Sequence, residues 1–205
     1  KFAVAVNSGS SANLLMIAAL MYSNDSHYRL KNGDEIIVPA VSWITTYSPL
    51  IQLGLKPIIV DVDLHSLNIS LDCIYSSITE KTRAIFAVNL LGNPSALSEI
   101  SELCEKNNLL LIEDNCESMG ATWNGKSTGS FGDVGTFSSY FSHHICTLEG
   151  GITVCKDENL SNLMRSIRSH GWIRGLDIDR SKLKDFDQFD PSFLFLNTGY
   201  NLRLS

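Results

Sequence analysis

Short β-rich runs alternate with helical stretches through most of the chain. "FAVAV" at residues 2 to 6 is followed by a predicted helix from Ser11 to Tyr22, "EIIVPA" by one from Trp43 to Leu53, and "KPIIVDV" by a short one from Leu71 to Ile78. "RAIFAVN", a helix over Leu97 to Asn107 and "LLLIED" continue the rhythm. Apolar runs without polar alternation are buried on both faces, and parallel neighbours need crossover connections, here helices. The pattern therefore predicts a three-layer α/β/α fold on a mainly parallel sheet. After Asp114 the spacing changes: "VGTFSSYF" and "GITVCK" read as two further strands, and a helix is predicted over Asn159 to Ser169. From Gly171 to Thr198 the chain turns polar and rich in aspartate. Residues 1–170 are thus expected to form one large domain, and 171–205 a polar excursion that starts a connection to whatever follows. The start at Lys1 without Met and the end within "GYNLRLS" read as a piece of a longer protein.

With 205 residues, 44% of them hydrophobic, the chain can bury a sizeable core. Its formal net charge of −6 argues against nucleic acid and against an anionic membrane surface as partners. Any anionic ligand must then be held by local donors. No apolar run approaches the roughly 18 residues of a membrane helix. The five cysteines are odd in number, scattered and never spaced as CxxC, which indicates neither a disulfide framework nor a zinc site and fits a reducing cytoplasm.

In an open α/β sheet, ligands sit beyond the carboxyl ends of the strands, and four polar groups fall there. In "NSGSSANLL" (7 to 15), Gly9 allows a tight turn, and Ser10 and Ser11 offer hydroxyls and N–H groups at a helix start. That is a phosphate cradle in physical terms, and equally a plain capped helix. In "LLLIEDNCESMGA" an apolar strand ends in Glu113 and Asp114; Asp114 is either a loop anchor or the counter-ion of a protonated ring nitrogen. Trp43 in "VPAVSWITT" is either a core aromatic or a stacking platform for a flat cofactor. Ser138 could grip the same phosphate as the first cradle. It lies five residues before His143 in "SHHICTLEGG", where two histidines precede a glutamate and two glycines. Histidine is the usual general base near neutral pH, although most histidines are solvated or hydrogen-bonded in ordinary ways.

In this order and spacing, "SGSSANLL", "GDEIIVPAVSW", "PIIVDVD", "IEDNCESMGA", "GDVGTFSSYFSHHICTLEGG" and "GYNLR" resemble the DegT/DnrJ/EryC1/StrS sugar aminotransferase family over essentially the whole chain. Its members are pyridoxal-phosphate enzymes of the aspartate aminotransferase fold (type I), with a C-terminal small domain that has no counterpart here. The resemblance makes Asp114 the partner of the pyridine nitrogen and Trp43 the stacking residue. Gly9, Ser10 and Ser138 become phosphate ligands, and Glu117 stands where the family usually has a glutamine near the ring hydroxyl. Asn201 in "GYNLR" matches a position that reaches the cofactor of a partner subunit, implying a homodimer with shared sites.

Counted back from the glycines, the lysine of the family motif S-F-x-x-x-K-N-x-x-x-x-E-G-G falls on His143 and its asparagine on His144. Histidine cannot bond the cofactor stably through an imine, but it can take and give a proton. That replacement marks the histidine-containing subgroup of sugar 3-dehydratases, and the resemblance implies the following chemistry. The cofactor works as pyridoxamine 5'-phosphate (PMP), and His143 is the catalytic base and acid. The substrate is a nucleotide-linked 4-keto-6-deoxyhexose, with GDP-4-keto-6-deoxymannose favoured, which loses its C3 hydroxyl on a route to 3,6-dideoxysugars of lipopolysaccharide. Glutamate serves as amino donor to return pyridoxal 5'-phosphate (PLP) to PMP. A second histidine-containing type carries an iron–sulfur cluster on a C-x57-C-x-C-x7-C pattern; starting at Cys116, that pattern needs cysteines where this chain has Arg174, Leu176 and Lys184, so no cluster is expected. The alternatives are a plain nucleotide-sugar aminotransferase and a catalytically silent relative that binds a nucleotide sugar. His144 reads as a structural histidine. His170 with Arg168 and Arg174 is either a contact for the substrate diphosphate or a solvated basic face.

Overall fold

The structure, a computed structural model, describes residues 2–174, 176, 186 and 188–204. The expected polar excursion over 171 to 198 therefore lies partly outside the described residues, as does Lys184.

The alternation predicted from the sequence is realised as β1 (Phe2–Val6), α1 (Gly9–Tyr22), β2 (Glu35–Pro39), α2 (Ile44–Gln52), β3 (Lys56–Val60), α3 (Leu71–Ser77), β4 (Thr82–Val88), α4 (Leu97–Asn107) and β5 (Leu110–Asp114). A two-stranded hairpin follows, β6 (Thr122–Trp123) and β7 (Lys126–Ser127), whose turn places Asn124 and Gly125 at positive φ as such tight turns require. β8 (Val134–Ser138), β9 (Gly151–Cys155) and α5 (Glu158–Arg168) complete the domain.

Seven strands form one sheet in the order β1-β9-β8-β5-β4-β2-β3. β8, β5, β4, β2 and β3 run parallel, while β9 is antiparallel to both of its neighbours, so β9 alone points the other way. The three-layer, mainly parallel α/β/α architecture is thus as the sequence predicts. One apolar cluster joins α1, α2 and α5 to one face of the sheet, and a second joins α3 and α4 to the other.

α1 is the central helix. It is apolar nearly all round because the sheet, α2 and α5 enclose it, and Ala12, Leu15 to Leu20 and Asn13 are all fully buried. It begins two residues earlier than expected, because Ser8 is the cap: its hydroxyl accepts the Ser11 N–H at 3.1 Å. α4 ends where Asn108 takes up the left-handed conformation (φ 54°), a conformation asparagine tolerates. β8 stops at Ser138 instead of continuing through "SYF". Beyond it the chain forms a loop closed by Ser139 N–H to Gly150 O and Thr147 N–H to Ser139 O, at 3.0 and 2.9 Å.

Candidate active site

Because β1, β2, β4, β5 and β8 point the same way, their carboxyl ends and the N-terminus of α1 converge on one edge of the sheet. A cavity of about 480 Å³ opens there. It is lined by seven of the eight residues picked out in the sequence: Gly9, Ser10, Trp43, Asp114, Glu117, Ser138 and His143. Asn201 lies elsewhere, bridged to Ser169, exposed, and accepting from Arg203 Nε at 3.3 Å.

At the first wall, α1 meets the end of β8. A Cβ built on Gly9 would lie 2.6 Å from Ser138 Cβ and 2.9 Å from both Ser138 Oγ and Cys116 Sγ, so this approach requires glycine. Gly151, the second glycine of "EGG", is constrained likewise, since a Cβ there would run into the Ser8 carbonyl. The result is a helix N-terminus with no acidic residue in its first turn, flanked by Ser8, Ser10 and Ser138. The positive end of the helix dipole and these hydroxyls suit an anion, with no cationic side chain among the described residues lining the cavity.

At the floor, Asp114 ends β5, buried, with no ion-pair partner among the described residues. Its Oδ1 accepts the Cys116 N–H at 3.0 Å, and its Oδ2 accepts from Asn13 Nδ2 at 2.9 Å and from the Thr46 hydroxyl at 3.3 Å. These donors, and the Cys116 thiol that also bonds the carboxylate, are all neutral groups. Burial first, and then the adjacent Asp114 charge, push the Cys116 thiol far above its ordinary range, so it lines the cavity as a neutral group. Glu113, which points away, accepts the Gly129 and Gly132 N–H groups at 2.6 Å each and anchors the chain leading into β8.

The remaining walls are aromatic and acidic. Trp43 caps α2 without a side-chain hydrogen bond and is 70% exposed, which makes it a free flat surface at the cavity and not a core aromatic. Glu117 Oε2 accepts the Leu91 N–H at 2.8 Å, holding Leu91 in the left-handed region (φ 52°) at the rim. His143 lies in the loop between β8 and β9, edge-on to Tyr140 with ring centroids 5.8 Å apart. Its Nδ1 is buried without a hydrogen-bond partner among the described residues. Among the described residues no lysine or arginine lines the cavity, whereas Asp114, Glu117 and Glu149 do.

Sequence reasoning missed Ser8, Ser42, Thr45, Tyr140 and Glu149 as lining residues. Ser8 was one position from "GSS", and Glu149 belongs to "EGG". The other three lie within quoted runs, but nothing in their residue type singled them out. The basic group of "RSIRSHGWIRG" is not at the cavity. Arg168 Nη1 donates to Ala5 O at 2.7 Å, Arg174 lies over the Trp172 ring at 5.3 Å, and His170 is exposed. His144 is exposed and sits beside Gly92. Among the described residues no group of three or more His, Cys, Asp or Glu could hold a metal ion, and no helix is long and apolar enough to cross a membrane.

The mixed sheet, its enclosing helices and the site at its carboxyl edge are those of the PLP-dependent aminotransferase fold. The chain belongs to the DegT/DnrJ/EryC1/StrS aminotransferase family, whose sequence model matches residues 1–205. It is 52% identical over 205 residues to GDP-4-keto-6-deoxy-D-mannose 3-dehydratase of Escherichia coli O55:H7, an alignment covering 99% of this chain and 52% of that protein. Among solved structures it is similar to the E. coli GDP-4-keto-6-deoxy-D-mannose-3-dehydratase with bound hydrated PLP, at TM-score 0.89 and 49% identity over 100% of this chain and 52% of that one. A GDP-4-keto-6-deoxymannose-3-dehydratase with a trapped PLP-glutamate geminal diamine matches equally, with TM-score 0.89 and 49% identity over 100% and 53%. The chain spans about half the length of the curated relatives it matches.

Proposed function

We propose that this chain forms the cofactor-binding part of a PMP-dependent 3-dehydratase. The enzyme removes the C3 hydroxyl of a nucleotide-linked 4-keto-6-deoxyhexose, with GDP-4-keto-6-deoxymannose as the favoured substrate and glutamate as amino donor. One observation carries the reading: the cavity has a free aromatic face, a buried anion and an anion-binding helix start, yet no lysine among its described residues, and His143 stands on its wall.

The residues present fit such a cofactor. Asp114, buried without a cation, matches a protonated ring nitrogen. The cradle at Gly9, which a Cβ would fill, matches a phosphate held by the α1 N-terminus with Ser10 and Ser138. Trp43 would supply a stacking face, and Glu117, on the same cavity wall, would stand beside the ring hydroxyl. When bound, the cofactor supplies an electron sink for expulsion of the hydroxyl.

The protein's own part is electrostatics and proton movement. Asp114 keeps the ring nitrogen protonated. His143, on the cavity wall, would take a proton from the cofactor's C4′ carbon and deliver it to the departing C3 hydroxyl. Positioned acid–base catalysis of this kind contributes roughly 10²–10⁴ in rate. Asn201, away from this cavity, is assigned to the site of a second copy, so the functional unit is a homodimer, and the scattered cysteines assign it to the cytoplasm. A cluster-free chemistry is assigned on the three cysteine positions that Arg174, Leu176 and Lys184 occupy.

The test is to incubate the purified protein with PMP and GDP-, CDP-, UDP- and dTDP-4-keto-6-deoxysugars and to identify products by mass. Ammonia release with a 3-deoxy-4-keto product is expected. A 4-amino sugar as sole product would identify an aminotransferase, and cofactor binding without turnover would identify a silent relative.

A further inference from the structure

Asn13 lies one turn into α1, fully buried, in a helix whose other buried positions are small or apolar apart from the glycine at its start. Its side chain uses both ends. Nδ2 donates to Asp114 Oδ2 at 2.9 Å and to the Thr45 carbonyl at 3.2 Å, and Oδ1 accepts from the Thr136 hydroxyl at 2.7 Å. The Thr45 carbonyl is available for a local reason. Four residues on, where a helix N–H would normally bond it, stands Pro49, which has none. The proline inside α2 thus exposes an acceptor that α1 uses.

These neighbours fix the amide's orientation. Rotating it by half a turn would point Oδ1 at a carboxylate and a carbonyl, two acceptors, and no hydrogen could bridge them. The Thr46 hydroxyl supports the same Asp114 oxygen at 3.3 Å and is itself within 2.7 Å of Ser42 Oγ. Elements distant in sequence, α1, α2, β5 and β8, therefore meet on one carboxylate.

We propose that Asn13 is a positioning residue of the site. Locked between the Thr45 carbonyl and the Thr136 hydroxyl, it aims the ionised Asp114 carboxylate at a cationic ring nitrogen in the cavity. The inference rests on the cofactor reading given above and adds a residue to it. A carboxylate that loses such a donor competes better for the proton it shares with the ring nitrogen, so loss of Asn13 should shift that proton toward Asp114.

The experiment loads the purified protein with PMP labelled with ¹⁵N in the ring and reads the ring-nitrogen chemical shift, together with kcat and KM. The natural protein is expected to show a protonated ring nitrogen, and Asp114→Asn an unprotonated one. Asn13→Leu, close in shape but without donors, should move the shift toward the unprotonated value and lower kcat roughly tenfold or more, as for hydrogen bonds to charged groups, with KM for the nucleotide sugar unchanged. Asn13→Ala, which removes the same donors with a smaller side chain, should move the shift the same way, and it decides the question alone if Asn13→Leu does not fold. If both variants bind PMP with the natural shift while Asp114→Asn changes it, the role of Asn13 is overturned and the cofactor reading stands. If the natural protein binds no PMP, or Asp114→Asn leaves the shift in place, the cofactor reading fails and the inference with it.

Discussion

Gly9 at the start of α1 and Ser138 at the end of β8 approach so closely that a methyl group on Gly9 would sit 2.6 Å from Ser138 Cβ. Two segments far apart in sequence are thereby brought to one wall of the cavity. Gly9→Ala should push them apart at a cost like that of overpacking, about 1–3 kcal/mol, and lower PMP affinity roughly tenfold. Equilibrium dialysis measures the affinity, and a thermal melt measures the shared stability loss. Natural affinity in Gly9→Ala would remove the phosphate assignment.

Asp114→Asn keeps the shape of the floor and removes its charge. The protein should fold, since Asn13, Thr46 and the Cys116 N–H still meet an amide of the same size, although some of these donors now face an N–H. Cofactor binding should weaken and turnover fall by roughly 10- to 100-fold, the scale of a charge-assisted hydrogen bond. Turnover at the natural rate, with circular dichroism unchanged, would show that Asp114 does not serve the ring nitrogen.

Much of this was legible in the sequence, for identifiable reasons. Apolar runs such as "LLLIED" declare buried strands, and a carboxylate that closes such a run must emerge at the sheet's edge, which is where Asp114 is found. Gly9, Trp43 and His143 sit in loops or caps beside strand ends, where motif order locates them. Asn13 was not legible, because it looks like one polar position in an apolar helix. Its partners Thr45, Asp114 and Thr136 lie 32, 101 and 123 residues away, and only the folded sheet brings them together. The backbone contact of Arg168 was not legible for a similar reason. Its guanidinium is drawn inward to the Ala5 carbonyl, a contact spanning 163 residues.

Alkaline stability should report the buried thiols. Burial, assisted by Asp133, pushes Cys104 up to about 12, and burial pushes Cys155 up to about 11. In the unfolded chain a thiol ionises near ~8.5. Both groups are thus raised in the folded state, so their contribution is fully present below the unfolded value and is lost as pH rises through it toward about 11 and 12. Cys104→Ala should melt lower than the natural protein by a constant margin up to about pH 8, with the margin shrinking above it. A margin that stays constant to pH 11 would show that Cys104 ionises no less readily when folded.

His143→Lys gives the sharpest test of the loop between β8 and β9, because it restores the residue that the family motif carries at this position. From the wall of the cavity the new ε-amine should reach the aldehyde of PLP and bond to it, so borohydride should fix the cofactor to residue 143. The natural protein, with no lysine among the described residues lining the cavity, should release its cofactor on denaturation after the same treatment. Peptide mass analysis distinguishes the two. Dehydration should fall at the same time, by roughly the 10²–10⁴ that a positioned acid–base group contributes, because the amine now competes for the aldehyde form and the imidazole that moved the proton is gone. Little transamination should replace it, since Trp43, Glu117 and the rest of the cavity wall remain arranged for the original substrate. If His143→Lys dehydrates the 4-keto sugar at the natural rate, the proton is moved by another group, and Tyr140, whose ring lies edge-on to the imidazole on the same wall, becomes the residue to replace next.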